Sequence, residues 1–181
     1  MKKKLLLVLS LVLAATIAAA ANVHLKGGKN AEPTFFDNGL KLEVIGAIAG
    51  LGNENGLVTL IAEGNPIATC QNPGNGEHFP PGQNPAPVTL TGTQAFDPDD
   101  FEKNGNYTFT VETDAPETPV AGAPDCPNVR WTEEIIDVAF TSATIIVEQP
   151  EYVTVLQVDC TINPPSSDGQ IRGADVVCVQ Y

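Results

Sequence analysis

The residues best suited to chemistry are Asp97-Pro98-Asp99-Asp100, with Glu102 and Asn104 close behind. Ca²⁺ takes about six to eight oxygen ligands, and carboxylates clustered on a turn supply several of them. Asp97, Asp99 and Asp100 are therefore the candidate metal ligands, and Ca²⁺ is the one cofactor the sequence suggests. The spacing does not follow the EF-hand register, and a solvated turn whose acids cap their own backbone explains the same residues more simply. Catalytic groups are scarcer. The chain has two histidines, His24 and His78, and beyond its N-terminal segment the serines are Ser142, Ser166 and Ser167, none in a nucleophile-elbow pattern. A Ser-His-Asp arrangement needs a positioned nucleophile and base, and no pair among the 22 acids stands out as a glycosidase couple. The expectation is a protein without enzymatic activity.

The cysteines Cys70, Cys126, Cys160 and Cys178 have no C-x-x-C spacing, which disfavours a zinc knuckle or a redox dithiol. An even count in an exported chain reads as two disulfides, with three connectivities open. The favoured set is Cys70–Cys126, which joins two Pro-rich loops, and Cys160–Cys178, which ties the last strand to the one before it. Oxidised cysteines also leave no thiolate nucleophile.

Export itself is read from the N-terminus. Lys2, Lys3 and Lys4 precede the apolar run 5–13, and small residues follow at 18–21. This is the three-part pattern of a secretory signal peptide, with cleavage expected after Ala21. The apolar run is short for a bilayer span of ~20 residues, so the processed protein is expected to be secreted and not membrane-embedded. The net charge is −13, and loss of the three lysines leaves six cations against 22 acids. Such a surface repels phosphate backbones and argues against nucleic acid as a partner.

The elements that must position these groups read as strands. Residues 22–38 are polar and Gly-bearing and read as a flexible lead-in, with 39–181 as a single domain. Leu40, Leu42 and Val44 alternate with Lys41 and Glu43, the period of a half-buried strand. Asn55-Gly56 is a hairpin signal. Residues 58–70 form a strand interrupted at Gly64-Asn65-Pro66 by a bulge or edge turn. The segment 71–87 carries five prolines and cannot join a ladder, because proline lacks the N–H. Residues 87–96 and 107–111 return to strand, a second Pro-rich loop covers 114–127, and the β-branched stretch 126–149 reads as two central strands around the only Trp. Of these, the strand 131–140 is expected to be buried on both faces only in its second half. Runs at 152–162 and 174–181 complete about eight strands with no helix after the N-terminal segment. The fold class is an all-β antiparallel β-sandwich, Ig-like or jelly-roll-like.

Three short motifs, Cys70-x-Asn72-Pro73-Gly74, Gly82-Gln83-Asn84-Pro85 and Cys126-Pro127-Asn128-x-x-Trp131, together resemble a pattern of secreted bacterial β-sandwich proteins. The resemblance covers residues 35–160. It implies export, an all-β domain and a Cys70–Cys126 bond, and it carries no activity. The two Pro-rich loops are expected to meet at one end of the sandwich, where binding residues commonly lie. His78, Phe79, Asn84 and Arg130 are the candidate contacts, with a protein or glycan at the cell surface as partner. The alternatives are a Ca²⁺-assisted carbohydrate-binding module and a subunit of a surface fibre or layer. The last strand, 174–181, has the apolar alternation of a donated strand, but Cys178 is expected to hold it in its own sandwich.

Overall fold

The computed structural model describes residues 22–28, 30–76, 78–79, 85–102, 105–118, 120, 126 and 128–181, with the side chains of His78 and Phe79 set aside. The proposed signal peptide at 1–21 lies outside them. Alternating β-branched and polar residues become strands throughout. In chain order these are β1 (His24–Leu25), β2 (Thr34–Asp37), β3 (Leu42–Ala49), β4 (Gly56–Gln71), β5 (His78–Phe79), β6 (Val88–Phe96), β7 (Tyr107–Glu112), β8 (Thr132–Glu148), β9 (Thr154–Ile162), β10 (Gly169–Gln170) and β11 (Val176–Gln180). Two single-turn 3-10 helices, Pro98–Asp100 and Gly173–Asp175, are the helical segments among the described residues.

The strands form two antiparallel sheets. In the first, β3 is central: β7 runs along one edge, β1 and β2 share the other, and β10 lies outside β2. The second has the order β11-β9-β8-β4, with β6 along the first part of β4 and β5 at its far end. The inward faces supply one shared core. Phe35, Leu42, Val44, Phe109 and Val111 come from the first sheet, and Val58, Leu60, Phe140, Ile145 and Leu156 from the second. Each such side chain contributes about 1.5–3 kcal/mol when fully buried.

The sheets are also joined at their edges. Asp114 N–H donates to the Thr91 carbonyl at 3.0 Å, linking the segment after β7 to β6. Gly92 sits opposite the Glu112 carbonyl there, where a Cβ has no room. Across the molecule, Val138 N–H donates to the Gly39 carbonyl at 3.0 Å and Ser166 N–H to that of Phe140 at 2.9 Å.

Several expectations change. Residues 22–38 are not a free lead-in, because Leu25 pairs with Ile48 and Phe35 with Val44, and both Leu25 and Phe35 are buried in the core. The stretch after Trp131 is one 17-residue strand instead of two. In the second half of 131–140 only Val138 and Phe140 are buried, with Asp137 and Ala139 half-buried and Ile136 exposed. Among the described residues eleven strands form where about eight were expected, the extras being the short β1, β2, β5 and β10, and β5 brings His78 and Phe79 of the segment 71–87 into a ladder. The interruption at Gly64-Asn65-Pro66, by contrast, is the bulge alternative that was expected, a register shift between Glu63 and Gly64 inside a continuous β4. Pro66 is tolerated because β6 ends at Gly64 and β5 begins at Cys70, so its missing N–H faces an edge without a described strand neighbour. Both favoured disulfides, Cys70–Cys126 and Cys160–Cys178, are present.

Candidate functional site at the clamped end of the β4–β8 ribbon

Past the ends of β6 and β9, β4 and β8 continue as a two-stranded ribbon, pairing as far as Gln71 with Thr132. A second register shift between Ile67 and Ala68 increases its twist. The Cys70–Cys126 bond closes the ribbon's end. It fixes the start of the first Pro-rich loop against the finish of the second. The second loop is held at another point, where buried Val120 donates its N–H to Glu133 Oε1 at 3.1 Å.

The chain then enters β8 through a tight turn. Asn128 Oδ1 accepts from Arg130 N–H at 3.0 Å, and the Asn128 carbonyl accepts from Trp131 N–H at 2.8 Å. An Asn side chain that mimics a backbone turn in this way rigidifies the loop. Its outer residues are Val129, 102% exposed, and Arg130, also exposed. Of the four predicted contacts, His78 and Phe79 form β5 beside Gln71 and Cys70, and Arg130 follows Cys126. These three therefore lie at the same end of the ribbon, on opposite sides of β4, while Asn84 lies outside the described residues. Val129 was missed because a lone apolar residue between turn formers reads as a start of strand.

The acidic turn is a separate place. Asp97 Oδ1 accepts from Asp99 N–H at 2.8 Å, and Asp100 Oδ2 accepts from Asp97 N–H at 2.9 Å, a reciprocal cap on Pro98–Asp100. Phe96, Phe101 and Tyr107 pack beneath it, with ring centroids 4.8 to 6.2 Å apart. Glu102 is held by the Thr108 hydroxyl at 2.9 Å and by Lys26 at 3.3 Å, and these bonds lower its pKa. Asn104 lies outside the described residues. Asp97 and Asp100 thus serve their own backbone, and Asp99 is exposed.

The carboxylates that do converge are Asp37, Asp137 and Asp168, whose oxygens lie within 4.8 Å of one another. Asp37 is buried and accepts from Gly39 N–H at 2.9 Å and from the Ser166 hydroxyl at 2.5 Å. That hydroxyl also accepts from Phe140 N–H at 2.7 Å, so Ser166 is engaged on both sides. Burial raises the Asp37 pKa above the usual carboxylate value. Bonds from Ser166 and Gly39 oppose the rise, and the charges of Asp137 and Asp168 add to it. Such a group takes up a proton readily or draws a cation. Its members come from three distant segments, and the one legible hint was an Asp at the inward end of the strand Thr34–Asp37.

Among the described residues no helix is long and apolar enough to cross a membrane. The chain matches no family model, no curated protein and no solved structure.

Proposed function

We propose that this chain is a secreted, non-enzymatic β-sandwich that acts by binding a protein or glycan partner outside the cell or at its envelope. The observation that carries the reading is the clamped ribbon end, where the Cys70–Cys126 bond lies just before an exposed Val129-Arg130 turn. Rigid loops lose little conformational entropy on binding, and an Arg beside an apolar side chain suits an interface centre. In a chain of net charge −13, Arg130 offers a cation where the rest of the surface repels acidic partners. Two disulfides and the N-terminal pattern support export.

Opening the clamp tests this. In a Cys70→Ala, Cys126→Ala double variant the core should persist, because its strands do not depend on the bond, while binding to the exporting cells should fall several-fold. Unchanged binding by a folded double variant would remove the clamp from the account. Calcium-assisted glycan binding at Asp97, Asp99 and Asp100 is the second reading. A melting temperature raised by Ca²⁺ and lowered by EDTA would favour it, since a ligand of the native state stabilises by mass action.

A further inference from the structure

The edges of the sandwich are not equally protected. β6 is joined to the segment after β7 through Thr91 and Asp114. The first part of β8 carries Glu133 and Glu134, and β10 is two residues long. At β1, the Gln180 side chain accepts from Leu25 N–H at 3.0 Å and donates to the carbonyls of Gly28 and Ala31. β11 has no such device. It is the end strand of its sheet, reads Val-Val-Cys-Val-Gln, and carries no charge, proline or bulge. Those are the features that keep natural edges from pairing.

Its hydrogen-bond phase is fixed. Tyr181 and Gln157 exchange both backbone bonds, and Asn163 N–H donates to the Asp175 carbonyl. Residues 175, 177, 179 and 181 therefore direct their backbone groups at β9, and 176, 178 and 180 direct theirs outward. Val176 N–H is already taken by the Gly173 carbonyl. This leaves the C=O of Val176 and the N–H and C=O of Cys178 and of Gln180, with no backbone partner among the described residues. On the outer face the side chains are apolar: Val177 is 65% exposed, Val179 49% and Tyr181 73%.

We propose that β11 pairs with β11 of a second copy, antiparallel, about a two-fold axis through Val179. That register pairs Cys178 with Gln180 of the second copy and Gln180 with its Cys178. The N–H and C=O of Cys178 and of Gln180 are thereby used on each edge, the occupied Val176 N–H is spared, and the Val176 C=O lies beyond the paired segment. Val179 then faces its own equivalent, and each Val177 faces a Tyr181, at the close non-hydrogen-bonded positions.

Charge selects this partner. Two copies of a chain at −13 repel over most of their surface, and β11 is an uncharged strip on which they can meet. The Cys160–Cys178 bond keeps β11 in its own sheet, so the strand accepts a neighbour and is not donated. A strand pair alone buries less than the ~1,200 Å² of stable interfaces, so the dimer is weak and reversible. Isologous pairing uses up the edge and closes at two copies.

Sedimentation velocity on the exported, oxidised chain from about 5 μM to about 1 mM, a range that spans weak affinities, tests this. A shift from monomer to dimer is expected, together with at least tenfold slower amide exchange at Cys178 and Gln180 in the concentrated sample. Val179→Lys, which sets like charges face to face, should abolish the dimer, and Tyr181→Ala should weaken it. Ile67→Lys, on an exposed apolar residue elsewhere, should leave it unchanged. Matching circular dichroism and melting curves establish that the variants fold. A monomer throughout, a dimer that survives Val179→Lys, or growth beyond two copies would overturn the proposal.

Discussion

At the scale of single residues, polar groups are placed by what they bond. Asp37 is buried among Ser166, Asp137 and Asp168, and its pKa is raised. A raised carboxyl binds its proton more tightly in the folded state, so the stability it contributes is complete below the ordinary carboxylate range. That stability is lost as pH rises through the raised folded value. Asp37→Asn removes one negative charge from the cluster and keeps an acceptor for Gly39. Thermal melts in EDTA should show the variant gaining on the parent as pH rises from about 4 to 8, the range over which this linkage acts. A difference that stays flat with pH would refute the assignment. Asp97 makes the opposite point, since its carboxylate caps a turn on the surface. Asp97→Ala should cost about 1 kcal/mol in a denaturant titration, with no change in the circular dichroism of the sheets.

At the scale of elements, strand identity was legible and strand extent was not. Val58, Leu60 and Ala62 alternate with Thr59, Ile61 and Glu63, and β4 keeps that period past the register shift after Glu63 as far as Ala68. The sequence suggests two strands in 126–149, whereas β8 is continuous and its burial pattern slips near Asp137. The slip lies opposite the second shift, at Ile67 and Ala68, where an extra residue moves the buried side by one. The break of period shows in β8 alone, whereas the continuity of the strand through it shows only in the pairing with β4. The lead-in was misread for a related reason: β1 and β2 are too short to show a period, and their burial comes from pairing with β3.

Gly92 is a further case, since its need for a bare backbone comes from the close approach of Glu112. Gly92→Ala should destabilise by about 1–3 kcal/mol through overpacking, measured by chemical denaturation. A neutral result would mean that β6 and β7 do not approach so closely. The disulfides differ in reach. Opening the 18-residue separation of Cys160–Cys178 should cost about 3 kcal/mol, and the 56-residue separation of Cys70–Cys126 about 4 kcal/mol, on the loop-entropy account. Single-pair Cys→Ala variants measured side by side would reverse that order if native strain outweighed loop length.

At the scale of the whole molecule, two sheets share one core, and a long ribbon carries the loops to a clamped end. The bond between Cys70 and Cys126, which ties the start of one Pro-rich loop to the finish of the other, was legible in the sequence. The Asp37 cluster was not, because Asp37, Asp137 and Asp168 are brought together only when β2, β8 and the segment before β10 pack. The acidic surface and the exposed turn at Val129 and Arg130 together define the central claim, which is binding through the ribbon end. The most direct test is a binding isotherm of labelled protein on the surface of the cells that export it, comparing the parent with Val129→Asp, Arg130→Glu. A saturable isotherm weakened at least tenfold in the folded variant, about 1.4 kcal/mol, is the predicted result. Equal binding by parent and variant would contradict the account.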